Sequence, residues 1–501
     1  DEAAINMAIF PFSAGWRAFA RSGSNLFDAQ YSADDYAGDL PNHVVSVTPY
    51  AEKDLINYGA ENYKANGGVY YRITDKLELS ALYNGGFGTS VYTGAQRYSL
   101  SNFSIHQGRV QLRGDNFYLR AYTTRENSGD SYITEFLAKR VNDIAVNRGN
   151  AAFSDVSGFL ATYATEYIRY LYNQGFEPGE VRQLPESERL NVERAAHTFA
   201  WGVVNSKFIL DPSSATFRDI KKRAMKGTVP SGPRFNDKTN LYHGEVQYDF
   251  KNEIEVVELQ AGASFRMFDL NSNGTIFDDK TDNITIKEYG AYLQAGKWLG
   301  DRKVKLSGSV RYDKNENFKG RVNPRIAAVF KPGLNHNFRL SYQTGFRIPS
   351  TQGQHIDLNV LSSRLLGGLQ RYADKYDVVR TSSTGQPLSF EGTSVQEFRK
   401  TIFATGNIGE AITKLEEVTK FNPVQPEQVK AIEVGYKGVI DRNLLLDLSY
   451  YFNTYNSFIT QVLVVIAAPD ASGNPNYLTI LNSNADNTYS IYTNAPGQVT
   501  A

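Results

Sequence analysis

The chain has 501 residues, and 53 lysines and arginines balance 53 aspartates and glutamates, so its formal net charge is zero. This balance argues against a broad basic face, so no nucleic-acid partner is predicted, and against an acidic disordered tail. The absence of cysteine excludes disulfide scaffolds, thiol catalysis and cysteine-ligated metal centres. Abundant tyrosine (32), phenylalanine (29) and glycine (41) beside only 3 methionines is a composition typical of β-rich proteins.

Membrane-spanning helices are not predicted. The longest apolar run, residues 462–468, is far shorter than the roughly 20 residues that such a helix needs. The first residues do not show the charged and apolar regions of an export signal. These observations do not exclude a transmembrane β-barrel. Its strands alternate lipid-facing and lumen-facing residues, so a hydropathy average does not detect them.

Alternation of apolar and polar residues predicts a series of antiparallel strands. In residues 303–313, Val304, Leu306 and Val310 share one face, while lysine, serine and arginine side chains occupy the other. Residues 337–347 repeat the pattern, with Phe338 and Leu340 opposite Arg339 and Arg347. The predicted strands are 65–73, 77–84, 107–113, 117–124, 241–250, 254–266, 284–298, 303–313, 321–330, 337–347, 429–440 and 444–458.

Short and long connections alternate between these strands. The short connections are rich in Gly, Asp, Asn and Pro, as hairpin turns are. The long connections are 85–106, 125–240, 267–283, 314–320 and 348–428. Strands of about ten residues, tyrosine and phenylalanine near their ends, and loops segregated to one side favour an outer-membrane barrel over a soluble sandwich. The layout predicts short turns in the periplasm and long loops outside the cell.

The insertion at 125–240 contains helical patterns. Phe159, Tyr163, Tyr167 and Leu171 recur at helical spacing before Gly175. A second helix is predicted from Pro185, with Leu190 and Phe199 on its apolar side, and a third from Phe217 to Ala224. We expect folded loops here and at 348–428, and binding residues often concentrate on such loops.

One segment has part of a calcium-loop pattern. Asp269, Asn271 and Asn273 place oxygen ligands at alternate positions before Gly274. The position that requires a bidentate glutamate holds Lys280, so an EF-hand is excluded. An irregular calcium site could be completed by Asp278, Asp279 and Asp282, but a metal-free turn is favoured.

No catalytic constellation is recognised. No two of the six histidines have the spacing of a metalloprotease helix, and phosphate-binding, dinucleotide-binding and nucleophile-elbow motifs are missing. The chain is therefore predicted not to be an enzyme and to use no cofactor. Charged residues such as Glu433 and Asp447 are expected to be lumen groups that pair with neighbours.

Several segments, in this order, resemble TonB-dependent outer-membrane receptors, and two of them the subgroup with a carboxypeptidase-like N-terminal domain. The resemblance covers about 65–140, 236–365 and 422–459. The segments that carry it are Tyr70–Lys76, Phe117–Tyr122, Asn323–Ala327, Asn337–Tyr342, Gly345–Pro349, Pro426–Glu427, Glu433–Lys437 and Tyr450–Asn453.

The resemblance implies an all-β transmembrane antiparallel barrel of about 22 strands closed around a plug, with about 12–13 strands in this chain and long, partly helical extracellular loops. Residues 1–64 are an N-terminal barrel or loop region in which the sequence shows no clear structural pattern. Residues 65–501 are predicted to form an incomplete barrel, and no plug domain is recognised. An open sheet edge in lipid leaves unpaired backbone groups. We therefore expect the chain to be part of a longer polypeptide, with a thirteenth strand beginning at Tyr489–Asn494.

The resemblance also implies a function. We predict TonB-dependent active import of an unidentified ligand across the Gram-negative outer membrane, with the ligand captured by extracellular loops and passed through the plugged barrel. Zero net charge does not favour anionic chelates as ligands, although it does not exclude local patches of positive charge. The alternative is a barrel that acts as a structural or docking subunit of an envelope complex, and a passive porin is a weaker one. Expected partners are outer-membrane lipid, the TonB energy-transducing complex and a surface lipoprotein or envelope-complex protein on the long loops.

Overall fold

The computed structural model describes residues 50–94, 96–146, 157–333, 335–360, 362–441, 443–481 and 484–500. Most of the predicted region 1–64 therefore lies outside the described residues. The chain divides into two compact units. The first comprises Asp1–Ala60, Ser90–Leu100 and Ser131–Arg234, and the second comprises Glu61–Thr89, Ser101–Asp130 and Phe235–Ala501.

One 14-stranded sheet dominates the fold. Its strands follow one another as antiparallel neighbours in chain order, apart from a short β5 that pairs with β3. They are β1 (Glu61–Thr74), β2 (Leu77–Thr93), β3 (Arg97–Arg113), β4 (Phe117–Asn127), β5 (Tyr132–Ile133), β6 (Asn240–Asp249), β7 (Glu258–Leu270), β8 (Ile284–Leu299), β9 (Val304–Asn315), β10 (Arg321–Gly333), β11 (His336–Arg347), β15 (Glu427–Ile440), β16 (Leu444–Asn456) and β21 (Gln498–Thr500).

Each of the twelve strands predicted between residues 65 and 458 lies in this sheet, in the predicted order. The long connection predicted at 85–106 is wrong, because β2 continues to Thr93 and β3 starts at Arg97. These residues pair instead of looping: Thr89 is opposite Glu61, and Tyr98 is opposite Ile133. Gly85, Gly86 and Gly88 lie within β2.

The register of the strands sorts side chains onto two faces. Leu306, Ala328, Leu340, Val434 and Tyr450 are successive partners across five strands. Leu306 is 46% exposed, Leu340 is 53% exposed and Tyr450 is 69% exposed, so no described part of the chain covers this row. A continuous apolar surface of this width is typical of a membrane contact. We call it the apolar face, and the opposite side of the sheet the polar face.

A separate five-stranded sheet is built from the long connection after β11 and the segment after β16. Its order is β12 (Asp357–Asn359), β13 (Arg364–Leu366), β20 (Thr488–Asn494), β17 (Ile459–Ile466) and β14 (Ser389–Glu391). Four helices belong to this part of the chain: α6 (Thr351–His355), α7 (Gln370–Lys375), α8 (Gly392–Thr405) and α9 (Ile408–Ile412). Two further short strands, β18 (Ala468–Pro469) and β19 (Pro475–Asn476), pair with each other. We call the five-stranded sheet and these helices the loop domain.

The loop domain corrects the prediction of a thirteenth barrel strand at Tyr489–Asn494. These residues belong to β20, which pairs with β13 in parallel and with β17 in antiparallel orientation. Tyr489 and Ile491 are buried with Leu366, Phe390 and Phe398 in the core of the loop domain. β21 is the strand that pairs with β16.

The first unit contains helices α1 (Glu52–Leu55), α2 (Thr134–Val146), α3 (Ser157–Asn173), α4 (Glu186–Phe208) and α5 (Ala215–Ala224). The prediction for α3 is confirmed, because Tyr163, Tyr167 and Leu171 are fully buried. Gly175 has a φ of 85°, and it donates to Tyr172 while Phe176 donates to Leu171. These two bonds end the helix as a glycine cap does.

The apolar side predicted for α4 is wrong, although its start after Pro185 is confirmed. Leu190 is 46% exposed and Phe199 is 41% exposed. The helix instead packs through small residues, Ala196, Ala200 and Val204, which let it approach α3 closely. The third predicted helix is confirmed as α5, in which Phe217, Ile220 and Ala224 are buried. No helix among the described residues is long and apolar enough to cross a membrane.

A lysine on the apolar face should destabilise the full-length protein in lipid. We expect Leu340→Lys to cost about 2–4 kcal/mol in denaturant unfolding from lipid vesicles, because the charge enters hydrocarbon. Gln343→Lys on the polar face of the same strand is the matched control and should cost far less. Equal losses for the two variants would contradict the assignment of the faces.

Candidate functional site

Charged side chains on the polar face pair across neighbouring strands. Arg339 of β11 lies 3.1 Å from Glu433 of β15 and 3.8 Å from Asp447 of β16, and Lys437 lies 3.0 Å from Asp447. The expectation that Glu433 and Asp447 pair with neighbours is confirmed. These groups are partly exposed, so each pair contributes little to stability, on the order of 1 kcal/mol or less. Their arrangement gives the sheet one charged, water-compatible wall.

The same pattern recurs along the polar face. In each case a basic residue meets a carboxylate on an adjacent or nearby strand. These pairs are Arg120 with Glu245 at 2.9 Å, Arg266 with Glu288 at 3.4 Å, Lys305 with Glu258 at 2.8 Å and Arg347 with Glu427 at 2.6 Å.

Glycines make room for these long side chains. A Cβ at Gly435 would collide with the Arg339 side chain, and a Cβ at Gly262 would collide with the Tyr292 ring. The Tyr292 hydroxyl then donates to Gln247 at 2.7 Å across two strands. Glycine is thus required on this face where a neighbouring side chain lies flat on the strand.

The loop domain contains a buried charge network centred on Asp357. The Asp357 side chain is 5% exposed and accepts from Arg364 at 2.8 Å, Tyr376 at 2.8 Å and Lys375 at 2.9 Å. Lys375 also lies 2.8 Å from Asp278. Burial, with Asp357 as the second cause, raises the pKa of Tyr376 to about 12, so its hydroxyl stays a donor.

This network fastens the connection between β7 and β8 to the loop domain. Phe277 forms an antiparallel bridge with Ile356, and the Asp357 amide donates to the Ile276 carbonyl at 2.8 Å. Together with the Lys375 pair to Asp278, these bonds join two connections that are far apart in sequence. The β7–β8 connection and the loop domain are therefore folded and mutually braced.

His355 is buried in the same region and is held neutral. Asn317 donates to its Nε2 at 3.1 Å, and its Nδ1 lies 3.3 Å from the Tyr372 hydroxyl. Burial, aided by the nearby Arg371 guanidinium, lowers the pKa of His355 to about 3. A protonated ring would direct an Nε2 proton against the Asn317 amide protons, which disfavours the charge.

The stability of the loop domain should therefore fall on acidification. The unfolded histidine binds a proton below about pH 6.5, while folded His355 stays neutral down to about pH 3, so stability is lost as pH falls through this window. We expect about 2 kcal/mol less protection of β17 and β20 amides at pH 5 than at pH 7, measured by hydrogen exchange corrected for intrinsic rates. His355→Gln should remove this difference, and an unchanged pH dependence in that variant would contradict the argument.

The residues of the calcium-loop pattern lie at the end of β7 and in the turn after it. The Asp269 carboxylate accepts from Asn283 at 3.0 Å, and Asn271 accepts a backbone bond from Lys238. Asn273 and Gly274 have φ values of 53° and 75°, as the favoured turn requires. Within the described part of the chain, no group of three or more His, Asp or Glu residues could hold a metal ion. The metal-free turn stays the favoured prediction, and calcium binding by Asp269, Asn271 and Asn273 stays the alternative.

Asp279, which the sequence offered only as a possible ligand of an irregular calcium site, organises this turn through its hydrogen bonds. It is 4% exposed and accepts from the Ser272 hydroxyl at 2.7 Å, the Gly274 amide at 2.6 Å and the Ser272 amide. An acidic residue in a loop rich in Asn and Asp carries no sequence signal that distinguishes this role.

Removing the Asp279 carboxylate should unfold the β7–β8 connection locally. We expect Asp279→Ala to lower the protection of residues 271–283 in hydrogen exchange by about 2–4 kcal/mol, because buried donors lose a charged acceptor. Asp282→Ala is the matched control, since Asp282 is exposed in the same loop. Equal effects of the two variants would show that Asp279 has no special role.

The histidines in the described part of the chain each contact a tyrosine side chain. His43 lies outside the described residues. Four of the others contact a tyrosine hydroxyl: His106 with Tyr83, His197 with Tyr163, His336 with Tyr436 and His355 with Tyr372. His243 stacks on Tyr122 at 4.7 Å between ring centroids.

The sheet order, the two faces and the braced loops together fit one family. The family described as TonB dependent receptor-like, beta-barrel matches residues 10–501. The chain belongs to this family of TonB-dependent receptors. The predicted fold class, a transmembrane antiparallel β-barrel, and the family resemblance are confirmed. Members of the family are outer-membrane receptors and transporters, not enzymes. The subgroup with a carboxypeptidase-like domain stays a prediction.

Several solved structures are similar to this receptor chain. The siderophore receptor PirA from Pseudomonas aeruginosa is 10% identical, with 88% of this chain and 52% of that chain covered and a TM-score of 0.41. The hemophore receptor HasR of Serratia marcescens, in complex with its hemophore HasA and heme, is 10% identical, with 88% and 50% covered and a TM-score of 0.43. The outer membrane transporter YddB from Escherichia coli is 10% identical, with 86% and 43% covered and a TM-score of 0.39.

The chain spans about half the length of these solved structures. No curated protein sequence matches it.

Proposed function

We propose that this chain is the barrel part of a TonB-dependent importer that carries an unidentified ligand across the Gram-negative outer membrane. The observation that carries the proposal is the family match over residues 10–501. The ion pairs on the polar face and the exposed apolar face support it, because an importer needs one wall for water and one for lipid. Nothing comparable favours the docking-subunit alternative or the porin.

The loops are proposed to face the cell exterior and to capture the ligand. The loop domain has its own buried core, and the Asp357 network braces it against the β7–β8 connection. Binding residues are commonly presented on loops that a rigid scaffold holds in place. The tight connections at the other ends of the strands would then face the periplasm.

Transport is proposed to depend on energy from the TonB complex. The ligand would leave the loops, pass along the charged polar face and cross when a plug moves. Which iron chelate, glycan, peptide or vitamin is carried stays open. A surface lipoprotein or another envelope protein on the long loops remains a prediction.

Uptake assays test the import hypothesis. Cells that express the full-length protein should accumulate one member of a radiolabelled panel of iron chelates, oligosaccharides, peptides and vitamins. This accumulation should disappear when either TonB or the receptor gene is deleted, and the receptor deletion is the matched control. Receptor-dependent uptake that is unchanged without TonB would contradict active import.

A further inference from the structure

A groove opens on the large sheet between β1 and β7. Its volume is about 920 Å³, within the roughly 300–1,000 Å³ that is typical of ligand sites. Its lining combines glycines with larger apolar and aromatic side chains on the same face. Three glycines, Gly67, Gly108 and Gly244, lie along it, and Tyr83, Tyr242 and Phe265 are among the larger residues.

The register of the strands places this groove on the apolar face. Gly244 is the direct partner of Phe265, and Phe265 is the partner of Tyr289 on β8. Tyr289 lies on the same side of β8 as Lys297, which is the partner of Leu306 in the exposed apolar row. Because alternate residues of a strand share a face, the groove opens toward the environment of that row.

The three glycines of the groove are not explained by packing within the described part of the chain. A Cβ at Gly67, Gly108 or Gly244 would meet no atom within 4 Å beyond its chain neighbours. At Gly262 and Gly435, on the polar face, a Cβ would instead collide with a neighbouring side chain. Glycine weakens the interior of a strand and often marks a place where a ligand approaches the backbone closely. The glycines therefore indicate an occupant that the described residues do not supply.

The surface of the groove favours hydrocarbon as this occupant. Most of that surface is apolar. Apolar cavities do not hold water, and an unfilled groove would leave its walls without dispersion contacts. An acyl chain in the groove contacts the glycines and the side chains beside them, so it gains more contact than a lipid on the flat part of the apolar face.

One cation lies at the rim of the groove. Arg125 follows Thr123 by two residues on β4, so it lies on the same face, and it is exposed near the end of the strand. Its cross-strand partners, His106 and Asn240, are not acidic. The acidic residue of this row, Asp269, lies beyond Asn240 and accepts hydrogen bonds from two asparagine side chains. The Arg125 guanidinium thus forms no ion pair with a described residue and can bind an anion.

We propose that the groove binds an acyl chain of one phospholipid and that Arg125 binds the phosphate of its head group. A guanidinium matches a phosphate with two parallel hydrogen bonds. Basic side chains at a membrane surface attract anionic lipids, so phosphatidylglycerol is preferred to the zwitterionic phosphatidylcholine. The site lies on the lipid side of the sheet, so it does not depend on which ligand is imported.

Native mass spectrometry of the full-length protein in detergent tests the site, with phosphatidylglycerol and phosphatidylcholine of identical acyl chains as probes. We expect one phosphatidylglycerol to be retained per protein, and phosphatidylcholine about tenfold less tightly. Gly108→Leu and Gly244→Leu should each weaken retention of phosphatidylglycerol about tenfold, because leucine fills the groove. Gly308→Leu is the matched control, since Gly308 lies on the apolar face outside the groove and a Cβ there has 3.7 Å of space.

A second pair of variants tests the head group. Arg125→Gln should remove the preference for phosphatidylglycerol and leave retention of phosphatidylcholine unchanged. Lys297→Gln is its matched control, because it removes a positive charge from the apolar face near the opposite ends of the strands.

The combined pattern decides the proposal. It is supported when both groove variants lose phosphatidylglycerol, Arg125→Gln loses the preference, and both controls behave as the unsubstituted protein. Absence of a retained lipid, an equal effect of either control, or a preference that survives Arg125→Gln overturns it. Circular dichroism spectra identical to that of the unsubstituted protein verify folding. The measurement involves no transport, so its failure is distinguishable from a failure of the uptake assay.

Discussion

The difference between the two faces of the large sheet determines most of this structure. Backbone hydrogen bonds run from strand to strand, so no polar backbone group inside the sheet has to face lipid. Side chains at alternate positions of each strand lie on opposite faces of the sheet. Leu306 and Leu340 are on one face, and Arg339 and Glu433 are on the other. An uncovered apolar row would be unfavourable in water, and unpaired charges would be unfavourable in hydrocarbon. The two rows are compatible with a single environment, a barrel wall between lipid and an aqueous interior.

The loop domain is stabilised by a buried apolar core and a charge network, and not by contrast between two faces. The loop domain buries Leu366, Phe390, Phe398 and Ile491 in a core of its own. The Asp357 network adds directional contacts that connect the β7–β8 connection to this core. A buried carboxylate with three donors is costly to disrupt. Such bracing suits loops that present a binding surface, because a preorganised surface loses less entropy when a ligand binds.

The strands with a long alternation of apolar and polar residues are predicted correctly from the sequence, whereas the shortest strands are not. Strands such as β9 and β11 alternate over more than ten residues, because lipid and water impose opposite demands on successive side chains. β12, β13 and β14 have only three residues each, which is too short for a pattern. The buried residues of α4 are mainly alanines, so the larger Leu190 and Phe199 misdirected the assignment of its apolar side. Asp279 is one of several acidic residues in a single loop, so the sequence offered it as a possible metal ligand and not as the acceptor that organises the turn.

The sequence by itself determined the strand order, the two faces and the family, because all of these depend on local alternation and on motifs of contiguous residues. Only the tertiary structure decided which distant residues meet. β20 joins β13 across more than a hundred residues, and this pairing removes it from the barrel. His243, Arg266 and Glu288 come together because three strands share one register. Register is a relation between segments, so it is fixed by how the whole sheet assembles and not by any single stretch of chain.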